Sequence, residues 1–84
     1  MPNHQLLSNV HTGQRVKLVR INAGRRLAHR LAELGLTPGV EFSVLQDNGG
    51  PLVISVRDSR IAIGRGMAKK ISVELLSSQF LETD

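Results

Sequence analysis

Cysteine is absent from this 84-residue chain, which excludes disulfides, thiolate metal sites and thiol nucleophiles. Tryptophan and tyrosine are absent as well, leaving Phe42 and Phe80 as the only aromatic residues. Single-stranded nucleic acid is gripped by stacking bases on aromatic side chains, and proline-rich peptides lie in aromatic-lined grooves. Neither surface can be built from two phenylalanines. No apolar run approaches the length needed to span a bilayer. Met1 to Gln5 is polar, and Leu6-Leu7 is too short for the apolar core of a signal peptide, so a cytosolic chain is expected. Acidic residues are in deficit, 7 Asp and Glu against 11 Lys and Arg, for a net charge of +4. That balance suits an acidic partner or surface, although small basic domains are common.

The length allows one domain around one modest core, and 40% apolar residues is an ordinary globular composition. The densest local information lies in Leu31-Ala32-Glu33-Leu34-Gly35-Leu36-Thr37-Pro38-Gly39-Val40. Gly35 falls where a helix stops in the left-handed conformation that glycine adopts cheaply, and Leu36 can fold back on the last turn. Pro38-Gly39 fits the centre of a type II turn. Val40, Phe42 and Val44 then alternate with Glu41 and Ser43 as in a strand.

Along the rest of the chain, residues 1–12 read as a lead-in with a short turn at Leu6, Leu7 and Val10. A first strand spans Arg15 to Ile21, with apolar residues on both faces, as in a central or bulged strand. Asn22 is a suitable N-cap for a helix over Ala23 to Leu34. There Leu27, Leu31 and Leu34 form one apolar stripe, and Arg25, Arg26, His29, Arg30 and Glu33 fill the outer side. Strands follow at Glu41–Gln46, Leu52–Arg57, Arg60–Gly64 and Ile71–Leu75. Asp47-Asn48-Gly49-Gly50 signals a hairpin with a type I′ turn, Asp58-Ser59 a second tight turn, and Met67–Lys70 a single helical turn. Leu27, Leu31, Leu34, Val44, Ile54, Ile63 and Val73 are assigned to the core. The expected fold is mainly β: a small five-stranded barrel, closed or nearly so to hide its edges, with one helix after the first strand. One domain covers 1–84, with its body at about 6–76 and a loose tail at 77–84.

Arg30-Leu31-Ala32-Glu33-Leu34-Gly35-Leu36-Thr37-Pro38-Gly39 resembles the RL-x-x-LG-[LM]-x-PG signature of the FeoA family. Ile61-Ala62-Ile63-Gly64-Arg65-Gly66-Met67-Ala68-Lys69-Lys70-Ile71-Ser72-Val73 resembles its final segment, and Leu7, Val10 and Gly13 its opening motif. The resemblance implies an SH3-like barrel and a cytoplasmic, non-enzymatic accessory protein of bacterial ferrous iron uptake. The implied partner is the FeoB permease, through its cytoplasmic GTP-binding domain, with recruitment to the inner face of the membrane. A related domain ends metal-dependent repressors of the diphtheria-toxin-repressor type, but this sequence carries no helix-turn-helix segment. Gly64-Arg65-Gly66 departs from relatives with a bulkier residue there, which implies a freer loop.

No serine sits in a nucleophile elbow, and no G-x-x-x-x-G-K-[ST] appears, so any nucleotide belongs to the partner. No cofactor is required. Arg25, Arg26 and Arg30 on the helix, and Arg65, Lys69 and Lys70 near the last turn, are the candidate partner-binding residues, with Arg60 beside them. They suit acidic protein groups and equally phosphates. His29 and Glu33, four apart, can point at one Fe²⁺ or Zn²⁺ ion. Two ligands are too few for a structural site, so His4, His11 or a second protomer would complete it, the last giving a metal-bridged homodimer. The plainer alternative pairs Glu33 with Arg30 or Arg26 and leaves His29 in solvent. A small metal-binding chaperone and a nucleic-acid-binding small barrel are the alternative functions. The missing aromatics count against nucleic acid, and direct membrane insertion is not expected.

Overall fold

The computed structural model describes residues 4–78. Six strands form one antiparallel sheet: β1 (His4–Leu6), β2 (Gln14–Ile21), β3 (Glu41–Asp47), β4 (Leu52–Val56), β5 (Ser59–Ile63) and β6 (Ile71–Ser78), in the order β1-β6-β2-β3-β4-β5. A 3-10 turn at Leu7–Asn9 follows β1, helix α1 (Arg25–Glu33) links β2 to β3, and a short helix α2 (Arg65–Ala68) links β5 to β6. The inward faces of the strands supply Val16, Leu18, Phe42, Val44, Leu52, Ile54, Val56, Ile63, Ile71 and Val73 to a single core. Leu7 and Val10 enter it from the 3-10 turn, Leu31 from α1, Leu36 from the loop after it and Ala68 from α2.

The sheet is rolled around that core but not closed, because the outer strands β1 and β5 are not hydrogen-bonded to each other. It has one strand more than the sequence suggests. His4, Gln5 and Leu6 pair with Glu74, Val73 and Ser72, a partner remote in sequence. The first expected strand is both central and bulged: β2 pairs with β3 and β6, with register shifts at Arg15/Val16 and Leu18/Arg20. Strand β6 extends to Ser78, so Ser77 and Ser78 belong to the sheet rather than to a tail. The rest of the expected tail lies outside the described residues.

The helix stop is built as expected. Gly35 has φ +97°, its N–H donates to Ala32 O at 2.9 Å, and the Leu36 N–H donates to Leu31 O at 2.9 Å. These are the two bonds of a Schellman stop, and Leu36 is 1% exposed. Gly39 has φ +96°, and Val40 N donates to Thr37 O at 3.0 Å, closing the turn around Pro38.

Several local expectations are corrected. Helix α1 begins at Arg25 with Gly24 as its N-cap and no side-chain cap. Asn22 is not the cap, because its N–H donates to Lys70 O at 2.6 Å and belongs to the end of the sheet. Leu34 is 52% exposed and not core. It is the C-cap, beyond the last full turn, and Leu36 folds back into the place the stripe reserved for it. The Asn48-Gly49 turn is not type I′. That turn needs positive φ at both central residues, and only Gly49 has it. Asp47 pairs with Leu52, so residues 48–51 form a longer loop. The next turn lies at Arg57-Asp58, because Val56 pairs with Ser59. Helix α2 starts at Arg65 rather than Met67.

Candidate functional site

Helix α1 is amphipathic, and its two faces do different work. Leu31 is buried and Leu27 half-buried, while Arg25, Arg26, His29, Arg30 and Glu33 are exposed. Its first turn holds no acidic residue, so Arg25 and Arg26 add to the positive potential that the helix dipole already places there. Arg25, Arg26 and Arg30 line a shallow open depression with Ala28 and His29. Among the described residues none of these three arginines is in an ion pair.

His29 Nε2 lies 3.4 Å from Glu33 Oε2, with the two side chains 76% and 66% exposed. Glu33 thus meets His29 rather than Arg26 or Arg30. Among the described residues no third His, Cys, Asp or Glu joins the pair. His4 is held on β1 opposite Glu74, and His11 precedes β2, where its backbone N–H donates to Gln14 Oε1 at 2.8 Å. Among the described residues neither completes a metal site with the pair.

The second basic group divides. Arg65 is not free for a partner: its guanidinium pairs with Asp47, and its Nε donates to Gly50 O at 2.9 Å. The segment expected to be loose is therefore the buckle that ties α2 to the β3–β4 loop. Arg60 sits on β5 opposite Ser55. Lys69 and Lys70 are exposed just past α2. The Asn22–Lys70 backbone bond and the Ile21–Ile71 pairing hold them beside the start of α1. Lys70 thus adjoins Asn22, three residues before Arg25 at the start of α1. Sequence spacing gives no signal for this, because the bond joining them is between backbone atoms. On the β2–β3 face Arg15 lies 3.6 Å from Glu41 and donates to Ser43 Oγ at 3.3 Å.

No helix among the described residues is long and apolar enough to cross a membrane. Residues 5–75 match the FeoA domain family. A putative Fe(2+) transport protein A of Methanocaldococcus jannaschii is 42% identical over 74% of this chain and 76% of its own length. A Fe(2+) transport protein A/Fe(2+) transporter FeoB fusion protein of Porphyromonas gingivalis is 32% identical over 86% of this chain, which spans 9% of that protein. Among solved structures, an iron uptake regulatory protein FeoA superimposes with a TM-score of 0.81 at 36% identity, covering 87% of this chain and 99% of that one. A zinc complex of FeoA from Stenotrophomonas maltophilia, described as a prokaryotic SH3 domain protein, gives 0.73 at 27% identity over 82% and 88% of the two chains. Helix stop, turn, rolled SH3-like sheet and sequence agree over nearly the whole domain: this chain belongs to the FeoA family.

Proposed function

We propose that this chain is a non-enzymatic, cytoplasmic accessory protein of ferrous iron uptake, which docks on the cytoplasmic GTP-binding part of a FeoB-type permease and modulates it. The observation that carries this reading is the relative whose name joins transport protein A and transporter FeoB in one polypeptide. Fusion keeps two partners at high effective concentration, an arrangement that suits modules working in contact. The exposed arginines of α1 offer the docking face, since charge-assisted bonds to carboxylates are strong and steer encounter. Modulation requires unequal affinity for two states of the permease, because equal affinity shifts nothing. Capture of the permease's cytosolic domain at low and moderate salt tests the reading. Binding should weaken as salt rises, and Arg26→Glu/Arg30→Glu should abolish it without changing the melting temperature. Wild-type capture by that double variant removes α1 as the docking face.

The His29–Glu33 pair supports a second reading for the same helix: weak binding of Fe²⁺ or Zn²⁺, completed by a second protomer in a metal-bridged homodimer. The zinc complex of the Stenotrophomonas maltophilia relative favours it. Zn²⁺ should raise the sedimentation coefficient of the wild type but not of His29→Ala, and a chelator should reverse the shift. An unchanged response in His29→Ala removes this pair from metal binding.

A further inference from the structure

We propose that the rim formed by Arg25, Arg26, Lys69 and Lys70 binds the anionic headgroups of a phospholipid bilayer. The four cations come from two segments, tied together by the 2.6 Å bond from Asn22 N to Lys70 O. All four are exposed, and neither α1 nor α2 has an acidic residue in its first turn. Among the described residues none of the four is in an ion pair. None has a side-chain hydrogen bond there either. The nearest acid on α1, Glu33, lies at the other end of that helix beside His29, and Glu74 on β6 sits opposite His4 and Lys17. Among the described residues the four cations therefore carry no compensating ion pair.

The state of these side chains distinguishes the kinds of partner. Arg65 and Arg15 are held in fixed directions by their own bonds, as cations are when they must match a particular geometry. Among the described residues the rim cations have no such bond. Long unfixed side chains lose rotamer entropy when they dock on a rigid surface. They lose less on a fluid headgroup layer, where the anions move to meet them. Nucleic acid would supply the phosphates too, but single-strand binding also draws on aromatic stacking, and Phe42 is buried at 1% exposure. The bilayer is at hand if the permease reading holds, and the proposal rests on that reading for its setting alone. A module docked on a membrane protein works close to an anionic leaflet, and each Lys or Arg near such a surface contributes about fivefold in partitioning.

Cosedimentation with vesicles tests this on the intact chain, with no permease present. Phosphatidylcholine vesicles containing phosphatidylglycerol should bind the wild type, pure phosphatidylcholine vesicles should not, and salt should release the protein. Lys69→Gln/Lys70→Gln and Arg25→Gln/Arg26→Gln should each lower partitioning about 25-fold, since each removes two cations, with unchanged melting curves. Equal binding to both vesicle types overturns the proposal, as does wild-type partitioning by both double variants. Tighter retention on a duplex or single-stranded oligonucleotide than on the anionic vesicles, at the same salt, assigns the rim to nucleic acid and overturns it as well. Vesicle binding without permease capture would discard the docking reading and keep this one, and the converse result would do the opposite.

Discussion

Gly35 and Arg57 both hold positive φ, +97° and +56°, and only one of them is a residue suited to it. A Cβ at Gly35 would meet Val56 Cγ1 at 3.5 Å, an ordinary contact. The cost of substitution there comes from the backbone and not from a clash. Gly35→Ala should cost about 1–2 kcal/mol, and Gly35→Val more, because a β-branched side chain tolerates that region worst. Both are read from denaturant midpoints. Arg57 runs the other way. The left-handed penalty of about 1–2 kcal/mol, less the extra chain entropy of about 0.5–1 kcal/mol that glycine loses, leaves Arg57→Gly stabilising by up to about 1.5 kcal/mol. A melting temperature that falls would show that the Arg57 side chain makes compensating contacts. The contrast also shows which turns a sequence discloses. Gly35 and Pro38-Gly39 announce themselves because their residue types match local backbone needs. Arg57 does not: its conformation is imposed by the Val56–Ser59 pairing, which leaves two residues to reverse the chain.

Among the elements, the junction of α2 with the β3–β4 loop is held by charge. The Arg65 and Asp47 side chains are only 34% and 22% exposed, and Arg65 also holds the Gly50 carbonyl. Hydrogen bonds to charged groups contribute about 1.5–3 kcal/mol, and partial exposure moves this junction to the lower part of that range. Arg65→Met should cost about 1–2 kcal/mol on this basis and speed amide exchange across residues 48–51, with β2 and β6 unaffected. Asp47→Asn should do much the same, and the double variant should be less destabilised than the sum, as expected for residues in contact. Additive losses would mean that Arg65 acts through Gly50 alone. Element types were legible from periodicity, but the joints between elements were not. Helix α1 starts at Arg25 because Asn22 is claimed by Lys70. Strand β1 exists because β6 offers it a partner. Leu34 is exposed because the helix ends before it. Each depends on a residue far away in the chain or on a termination that shifts a stripe by one position. The candidate site divides the same way: the α1 arginines and the His29–Glu33 pair follow from helical spacing, whereas the Asn22–Lys70 bond and the Arg65–Asp47 pair are tertiary.

At the scale of the whole molecule, the strands and the helix carry unequal shares of the core. Ten of the buried side chains named above come from β2 to β6, and α1 contributes Leu31 alone, with Leu27 packed against the cluster from outside. A helix of nine residues is too short to persist unaided in water, so α1 exists through Leu31, Leu27 and the stop at Gly35. Regions with few buried contacts open at lower free energy than the global transition. In native-state hydrogen exchange, α1 amides should therefore exchange well before those of β2 and β6. Leu31→Ala should enlarge that difference rather than unfold the barrel. Its cost should fall near the lower end of the about 2–5 kcal/mol seen for buried leucines, because the helix can detach and leave the sheet intact. The far-UV helical signal should fall while the strand amides stay protected. Loss of all protection together would mean that helix and barrel fold as one unit. This matters for the proposed docking, because the arginines of α1 share one face only while the helix is formed. Leu31→Ala should then weaken permease capture without altering a single surface charge, whereas Arg26→Glu/Arg30→Glu should do so without altering the exchange pattern. If both variants lose capture in this way, the helix is a separable, conditionally ordered docking element on a barrel that holds its own shape.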